Sequence, residues 1–159
     1  MGYYFWKLDK IAIGGGKWLI YRECVYLLVT IDTSANDEQL KDYKFFCFNG
    51  RVQCYKVDFD RFISHRANYY NRDSKLLPFC EVACPADYSK IFEKPNNFDK
   101  MIELAEVLAK DIPFARVDFY NTKGDIYFGE ITFFPAGGVG KFDPEEWDMQ
   151  LGSFLVLPK

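Results

Sequence analysis

Two segments near the middle of the chain predict a β-hairpin. They run from Asp42 to Asn49 (DYKFFCFN) and from Arg51 to Phe59 (RVQCYKVDF), and each is rich in aromatic and β-branched residues. The dipeptide that joins them, Asn49-Gly50, tolerates a positive φ at both positions, as a tight hairpin turn requires. We therefore expect two adjacent antiparallel strands here.

An amphipathic helix is predicted from Phe98 to Lys110. Asn96 or Asn97 can cap its first turn, and Pro113 ends the helical pattern. Apolar residues recur at helical spacing, which predicts that one face of this helix is buried. The apolar stripe consists of Phe98, Met101, Ile102, Ala105 and Leu108.

The other segments complete an α+β pattern. Asp60 to Asp73 is polar and has no clear period, so we interpret it as an exposed excursion that could lie over a site. Leu76 to Ala86 is expected to be a short strand or an extended segment. Asp143 is the predicted cap of a last helix, with Pro144 at the first helical position and Glu146 reaching back to the cap. With a second hairpin after Pro113, this order predicts an antiparallel sheet with helices on one face.

Composition and charge narrow the class of protein. The 159 residues are 49% hydrophobic and 19% aromatic, which favours one globular domain rich in sheet. A net charge of −3 argues against a nucleic-acid partner, which normally needs a basic face. The chain has no apolar stretch of membrane-spanning length and no signal peptide at its start, so we expect a cytoplasmic protein without a transmembrane segment. Five cysteines without a CxxC pair are expected to stay reduced, and the single His65 removes most zinc and histidine-triad schemes.

The second predicted hairpin carries the clearest candidate chemistry. Its strands, Phe114 to Tyr120 and Ile126 to Phe134, flank a Thr122-Lys123-Gly124-Asp125 turn. Side chains alternate along a strand, so even-numbered and odd-numbered residues face opposite ways. The charged residues Arg116, Asp118 and Glu130 all belong to the even-numbered set.

The length of the turn decides whether the two polar sets meet. A two-residue turn would pair Asp118 with Gly129 and split the polar residues between opposite faces. A three-residue turn, with Gly124 in the left-handed conformation, would bring them together and bury the odd-numbered apolar side chains. We therefore predict the three-residue turn. The residues predicted to share one face are Arg116, Asp118, Glu130 and Thr132.

Two converging carboxylates repel each other unless a cation lies between them. Their oxygens suit Mg²⁺ or Mn²⁺, and Arg116 beside them could steady a phosphate. The alternative is a solvated surface cluster in which Arg116 pairs with both Asp118 and Glu130. The Gly-rich loop after Phe134 either cradles a ligand or is a sharp exit from the sheet.

Several motifs together resemble a known family. FARVDFYNTKGDIYFGEITFFPAGG is similar to the metal-binding end of ATP-grasp enzymes, in which an R-x-D strand and an E-x-N or E-x-T strand hold Mg-ATP. With DYKFFCFNG, KPNNFDKMIELAEVLA and DPEEWDMQLG, the order and spacing resemble the TupA-like ATP-grasp proteins, which are linked to teichuronopeptide and surface-polysaccharide synthesis. The resemblance covers roughly Leu40 to Gly152.

The resemblance implies an ATP- and Mg²⁺-dependent (or Mn²⁺-dependent) ligase that activates a carboxylate as an acyl-phosphate. Its partners would be a nucleotide and a small-molecule or polysaccharide-precursor substrate. Asp118 and Glu130 would be the metal ligands, Thr132 would stand at a further ligand position, and Arg116 would contact the transferred phosphate as the catalytic residue. The other nucleotide or substrate contacts implied are Lys44, Arg66, Arg72 and Lys75.

Residues 40–159 are expected to form the metal- and nucleotide-binding lobe, and residues 1–39 a divergent or truncated segment, so that the N-terminal half of the enzyme is missing. Two alternatives remain open. One is a metal-dependent glycosyltransferase, for which Asp58-Phe59-Asp60 is the only Asp-x-Asp triplet, although its hairpin context argues against that role. The other is a non-catalytic remnant of the ATP-grasp fold.

Overall fold

One antiparallel sheet organises the protein. The computed structural model describes residues 6–7, 41–60, 63–122 and 124–157. The elements are β1 (Trp6–Lys7), β2 (Lys41–Phe48), β3 (Arg51–Phe59), β4 (Arg66–Asn71), β5 (Leu76–Leu77), β6 (Cys80–Glu81), α1 (Phe98–Leu108), β7 (Phe114–Thr122), β8 (Asp125–Thr132), β9 (Phe142–Asp143) and α2 (Glu146–Gly152). Within the described ranges, seven strands pair in the order β1-β8-β7-β2-β3-β4-β5, and β6 pairs separately with β9. The predicted α+β class with an antiparallel sheet is confirmed.

The first hairpin is confirmed, and it also contains a β-bulge. Asn49 and Gly50 have φ angles of 49° and 77°, so the turn uses the positive φ values that this dipeptide tolerates. The two-residue turn pairs Phe48 with Arg51, but the register shifts between Phe46 and Cys47. Beyond the shift, even-numbered residues of β2 lie opposite even-numbered residues of β3, and odd opposite odd. The bulge thus decides which side chains of the two strands share a face.

The second hairpin reaches the predicted arrangement by a different route. The prediction of a three-residue turn was wrong, because Thr122 pairs with Asp125 across a two-residue turn. The register then shifts between Val117 and Phe119. In the shift, Asp118 of β7 lies opposite two residues of β8, and farther along Arg116 pairs with Thr132. A bulge within the strands, and not the turn, therefore brings the even-numbered polar residues together.

Gly129 lies at this bulge, where a side chain would meet the backbone. A Cβ at Gly129 would lie 3.0 Å from the Asp118 carbonyl oxygen and 3.1 Å from the Tyr120 ring. Gly129→Ala should therefore lower the free energy of unfolding by about 1–3 kcal/mol, measured by chemical denaturation. Gly152→Ala is the matched control, because its Cβ would meet nothing within 4 Å, and it should change stability by less than about 1 kcal/mol. Equal effects of the two substitutions would contradict the role assigned to the bulge.

Helix α1 covers the apolar face of the sheet. It begins at Phe98 and buries the predicted stripe up to Ala105 against odd-numbered side chains of β2, β3 and β7. Asn97 is the residue before the helix, as predicted, but its side chain does not cap it. Instead, the Asn97 amide donates to the Gly124 carbonyl at 2.8 Å and accepts from Asn121 at 2.5 Å, which ties the helix start to the β7-β8 hairpin. The fully buried members of this core include Phe45, Tyr55, Val57, Met101, Val117 and Phe119.

Helix α2 packs against the other face, so the two helices divide between the faces of the sheet. Its Leu151 and Trp147 join a second apolar cluster that contains Phe46, Phe48 and Phe79. The predicted start of this helix was wrong. Asp143 does not cap it, because Asp143 pairs with Cys80 in the small sheet, and the residue before the helix is Glu145.

The polar segment after Asp60 contains a six-residue strand, β4. We expected an exposed excursion, but β4 pairs with β3 along its length and its residues Ala67 to Tyr70 are buried. The aromatic side chains explain the difference: Tyr70 stacks on Tyr55 in the core, with ring centroids 5.3 Å apart, whereas Tyr69 packs on Phe79 of the opposite cluster. Successive side chains of β4 point to opposite faces of the sheet, and both faces are covered. The sequence therefore shows no alternation of apolar and polar residues here.

The predictions made for residues 1–39 lie, apart from Trp6–Lys7, outside the described residues. The prediction that residues 1–39 form a divergent or truncated segment, separate from the lobe of residues 40–159, is among them. In the part of the chain that the structure describes, no helix has the length and apolarity needed to cross a membrane.

Candidate functional site

The polar face of the sheet centres on a buried lysine. Lys44 Nζ donates to Asp42 Oδ2 at 2.5 Å and to Asp118 Oδ2 at 2.8 Å, and it lies 3.8 Å from Asp58 Oδ2. These residues come from β2, β3 and β7, and the register of both central strand pairs places them together. The lysine therefore links three carboxylates across three adjacent strands.

Burial and charge act in opposite directions on these groups. Burial alone lowers the pKa of Lys44, but the carboxylates of Asp118 and Asp42 outweigh it and hold the pKa above its usual value. Burial raises the pKa of Asp42, and Lys44 only partly offsets that rise. Lys44 is therefore a fixed positive charge over the whole physiological pH range, with an excess of acidic groups around it.

Arg116 forms the second half of the polar face. Its Nε donates to Asp118 Oδ1 at 2.8 Å, so both oxygens of this carboxylate are engaged. Its Nη2 lies 2.8 Å from Asp118 Oδ2, 2.5 Å from Glu130 Oε1 and 3.0 Å from Thr132 Oγ1. Oxygens of three side chains thus converge on one guanidinium nitrogen.

This cluster is only partly open to solvent. Arg116 pairs with both carboxylates, as the surface-cluster alternative predicted, but the exposed fraction of its side chain is 12% and that of Asp118 is 2%. Glu130 is the exposed member at 61%. The cluster therefore has a buried floor and one accessible edge.

A second lysine extends the polar face towards β6. Lys56 Nζ donates to both carboxylate oxygens of Glu81 at 3.2 Å, and Tyr69 donates its hydroxyl to Glu81 Oε1 at 2.6 Å. Burial raises the pKa of Glu81, but Lys56 and the Tyr69 hydrogen bond outweigh it and hold the pKa below its usual value. The face thus carries a continuous ion-pair network.

The structure brings together five of the predicted site residues and leaves three elsewhere. Arg72 forms an ion pair with Glu106 of α1. Arg66 begins β4 at the pair with Phe59, and Lys75 is an exposed residue of the turn after that strand. The phosphate or substrate contacts implied for these three residues stay predictions, and none of the three joins the cluster around Arg116. The residues that do lie together are Lys44, Arg116, Asp118, Glu130 and Thr132.

Four further acidic or basic residues of this face were missed from sequence. They are contributed by β2, β3 and β6, and the only local signal was the spacing of Asp42 with Lys44 and of Lys56 with Asp58. A plain two-residue hairpin would have put these pairs on opposite faces, so the bulge had to be known first. The missed residues are Asp42, Lys56, Asp58 and Glu81.

The Gly-rich loop after β8 lines a cavity of about 230 Å³ that Glu81 of the polar face also lines. Ala136, Gly137 and Gly138 all have positive φ values, of 50°, 66° and 77°. The other lining residues are largely apolar and include Phe46, Phe48, Phe114, Phe142 and Leu151.

The donor set around Arg116 fits a hard divalent cation. Two carboxylates and a hydroxyl supply only oxygen atoms, the ligand type that Mg²⁺ and Mn²⁺ prefer. These oxygens already converge on a single cationic nitrogen, at distances of 2.5 to 3.0 Å. Asp118, Glu130 and Thr132 are therefore the residues that could hold such an ion.

Comparison with known proteins identifies the family. The TupA-like ATP-grasp family model matches residues 16–156, which is most of the chain and begins before Leu40, where the motif resemblance starts. Neither the curated proteins nor the solved structures contain a significant match. Because the family match spans most of the sequence, it establishes membership: the chain belongs to the TupA-like ATP-grasp family.

Proposed function

We propose that this protein binds Mg-ATP on the polar face of its sheet and serves an ATP-grasp ligase reaction in surface-polysaccharide or teichuronopeptide synthesis. The single observation that carries the proposal is the convergence of Asp118, Glu130 and Thr132 on one Arg116 nitrogen. Family membership supports the interpretation of these oxygens as metal ligands, because ATP-grasp proteins use ATP with a divalent cation. The specific ligase role and its substrates are part of the proposal.

Each residue has a separate task in this scheme. Asp118 and Glu130 would hold Mg²⁺, with Thr132 at a third position, and the metal supplies charge neutralisation on the phosphates. The same side-chain oxygens now accept hydrogen bonds from Arg116. If these oxygens bound a metal ion, the guanidinium would be free to contact phosphoryl oxygens. Lys44 fixes the orientation of Asp118 from below through a 2.8 Å hydrogen bond.

Charge balance explains why a cation would be accepted at this face. Five acidic side chains lie among three basic ones at this face: Asp42, Asp58, Glu81, Asp118 and Glu130 among Lys44, Lys56 and Arg116. A divalent cation would offset the excess negative charge of these side chains. Arg116 would then be close enough to bind the phosphates of a nucleotide. The exposed Glu130 marks the side from which both could enter.

Thermal melting of the full chain tests this function. We expect Mg-ATP to raise the melting temperature, because a ligand at 100 times its Kd stabilises the folded state by about 2.7 kcal/mol. For a protein of this size that corresponds to roughly 5–10 °C. ATP with a chelator and Mg²⁺ alone are the matched controls, and each should give a much smaller shift.

The same assay separates the alternatives. A shift with Mn²⁺ and a UDP-sugar but none with Mg-ATP would replace the ligase proposal with a glycosyltransferase. Absence of a shift with every nucleotide would overturn nucleotide binding and favour a non-catalytic remnant. A shift with Mg-ATP that exceeds those with GTP and UDP-sugars supports the proposal.

A further inference from the structure

Asp58, His65 and Cys84 meet at the end of the polar face, away from the β7-β8 hairpin. One ligand atom of each lies within 4.8 Å of the other two. They come from the end of β3, from the segment before β4 and from the turn after β6. No short motif links them, so only the fold creates this group.

The Asp58 carboxylate is buried but not satisfied by hydrogen bonds. Its side chain is 3% exposed, and within the described ranges neither oxygen has a hydrogen-bond partner. The nearest side-chain nitrogens, His65 Nε2 at 3.3 Å and Lys56 Nζ at 3.7 Å from Oδ1, do not form hydrogen bonds with it. A buried carboxylate without hydrogen bonds is costly, which points to a ligand that would bind it.

Neither neighbouring lysine is oriented to serve Asp58. Lys56 directs its ammonium to both oxygens of Glu81 at 3.2 Å, and Lys44 directs its own to Asp42 and Asp118. Both lysines therefore have closer acceptors than Asp58, whose oxygens face His65 and Cys84.

We propose that Asp58, His65 and Cys84 form a binding site for a zinc-class transition-metal ion, separate from the Mg-ATP site. A carboxylate oxygen, an imidazole nitrogen and a thiolate sulfur are the three ligand types that zinc takes in proteins. The sulfur selects against Mg²⁺ and Ca²⁺, which require oxygen ligands. Three protein ligands leave the fourth tetrahedral position to water.

The geometry requires only a small closure. Ligand atoms around a tetrahedral zinc lie roughly 3.3–3.8 Å apart at normal bond lengths. The present separations of up to 4.8 Å exceed this by about 1 Å. His65 can supply the movement and the entry path, because 38% of its side chain is exposed while the other two ligands are buried.

Charge and protons also balance at this site. Burial raises the pKa of the Cys84 thiol to about 11, so the free thiol is protonated at neutral pH and releases its proton to solvent when a metal binds. The resulting thiolate and the Asp58 carboxylate together neutralise a divalent ion, with His65 as a neutral ligand. The three ligands and the divalent ion together therefore carry no net charge.

Titration of the full chain with Co²⁺ and Zn²⁺, in the absence of nucleotide, tests the proposal. We expect one equivalent of Co²⁺ to produce a thiolate-to-cobalt charge-transfer absorption, and Zn²⁺ to displace it. Cys84→Ser should abolish the absorption, and His65→Ala should weaken binding by at least about 10-fold. Cys80→Ser is the matched control, because Cys80 lies four residues away and is not a member of the group.

The outcomes distinguish this site from others in the chain. Loss of the absorption in Cys80→Ser but not in Cys84→Ser would overturn the proposal, as would unchanged affinity in His65→Ala. His65 is exposed, so its substitution keeps the test valid even if replacement of the buried Cys84 lowers stability. Absence of Co²⁺ and Zn²⁺ binding would also overturn it and would leave the Mg-ATP proposal intact, since neither titration contains nucleotide.

Discussion

Replacing Asp118 with Asn is expected to abolish the stabilisation of this protein by Mg-ATP. Asp118 contributes a carboxylate to the oxygen set around Arg116, and both of its oxygens accept hydrogen bonds from Arg116. An amide keeps the shape but removes the charge and one acceptor. We expect Mg-dependent ATP affinity to fall on the order of 100-fold or more. Even substitution of a residue that only hydrogen-bonds a metal ligand lowers metal affinity by about 10–100-fold. Isothermal titration at constant Mg²⁺ measures the change.

Two further variants keep this result interpretable. Glu130→Gln removes the second carboxylate at a side chain that is 61% exposed, so we expect weak Mg-ATP binding with little loss of stability. Asp99→Asn is the matched control on the exposed face of α1, where the side chain is 82% exposed, and it should bind like the parent protein. Normal Mg-ATP affinity in both Asp118→Asn and Glu130→Gln would refute the site assignment.

Replacing Lys44 with Met is expected to cause the largest loss of stability among single changes at the polar face. The ammonium group neutralises Asp42 and Asp118 in a buried setting, and methionine cannot do so. Removing one partner of a buried ion pair leaves an uncompensated charge and costs about 3–5 kcal/mol. Denaturant unfolding near neutral pH should show this loss, with a melting temperature lower by on the order of 10 °C.

The pH dependence of this loss has a defined sign. Burial already raises the pKa of Asp42 above its usual value, and Lys44 opposes that rise. In Lys44→Met the opposing charge is gone, so the folded variant takes up protons more readily than the parent as the pH falls. The difference in unfolding free energy between the parent and Lys44→Met should therefore narrow as the pH falls through the raised pKa of Asp42, because the protonated carboxyl no longer needs the lysine.

A surface lysine provides the control for this pair of measurements. Lys100 forms an ion pair with Glu103 on the exposed side of α1, with side chains 60% and 65% exposed. Lys100→Met should change stability by less than about 0.5 kcal/mol at any pH. A loss in Lys44→Met that is equally small, or one that grows as the pH falls, would contradict the electrostatic role of Lys44.

The two hairpins show which parts of the site were predictable. Both were recognised from turn residues and strand composition, and Arg116, Asp118, Glu130 and Thr132 do converge as expected. The convergence was predicted for the wrong reason, since the turn has two residues and a bulge at Gly129 corrects the register. A bulge depends on how two strands fit together over several residues, which a turn sequence alone does not encode.

The local elements and the oxygen-donor residues of the candidate site were predictable from the amino-acid sequence alone. Turn dipeptides, helical periodicity and the oxygen-donor residues of β7 and β8 are local properties, and they led to the antiparallel α+β fold and to the ATP-grasp resemblance that the family match confirms. Which charged side chains share the polar face was not predictable, because strand register sets it and a shift of one residue moves every side chain to the opposite face. Register placed Lys44 between Asp42 and Asp118, turned Arg72 towards α1, and brought Asp58 next to His65 and Cys84.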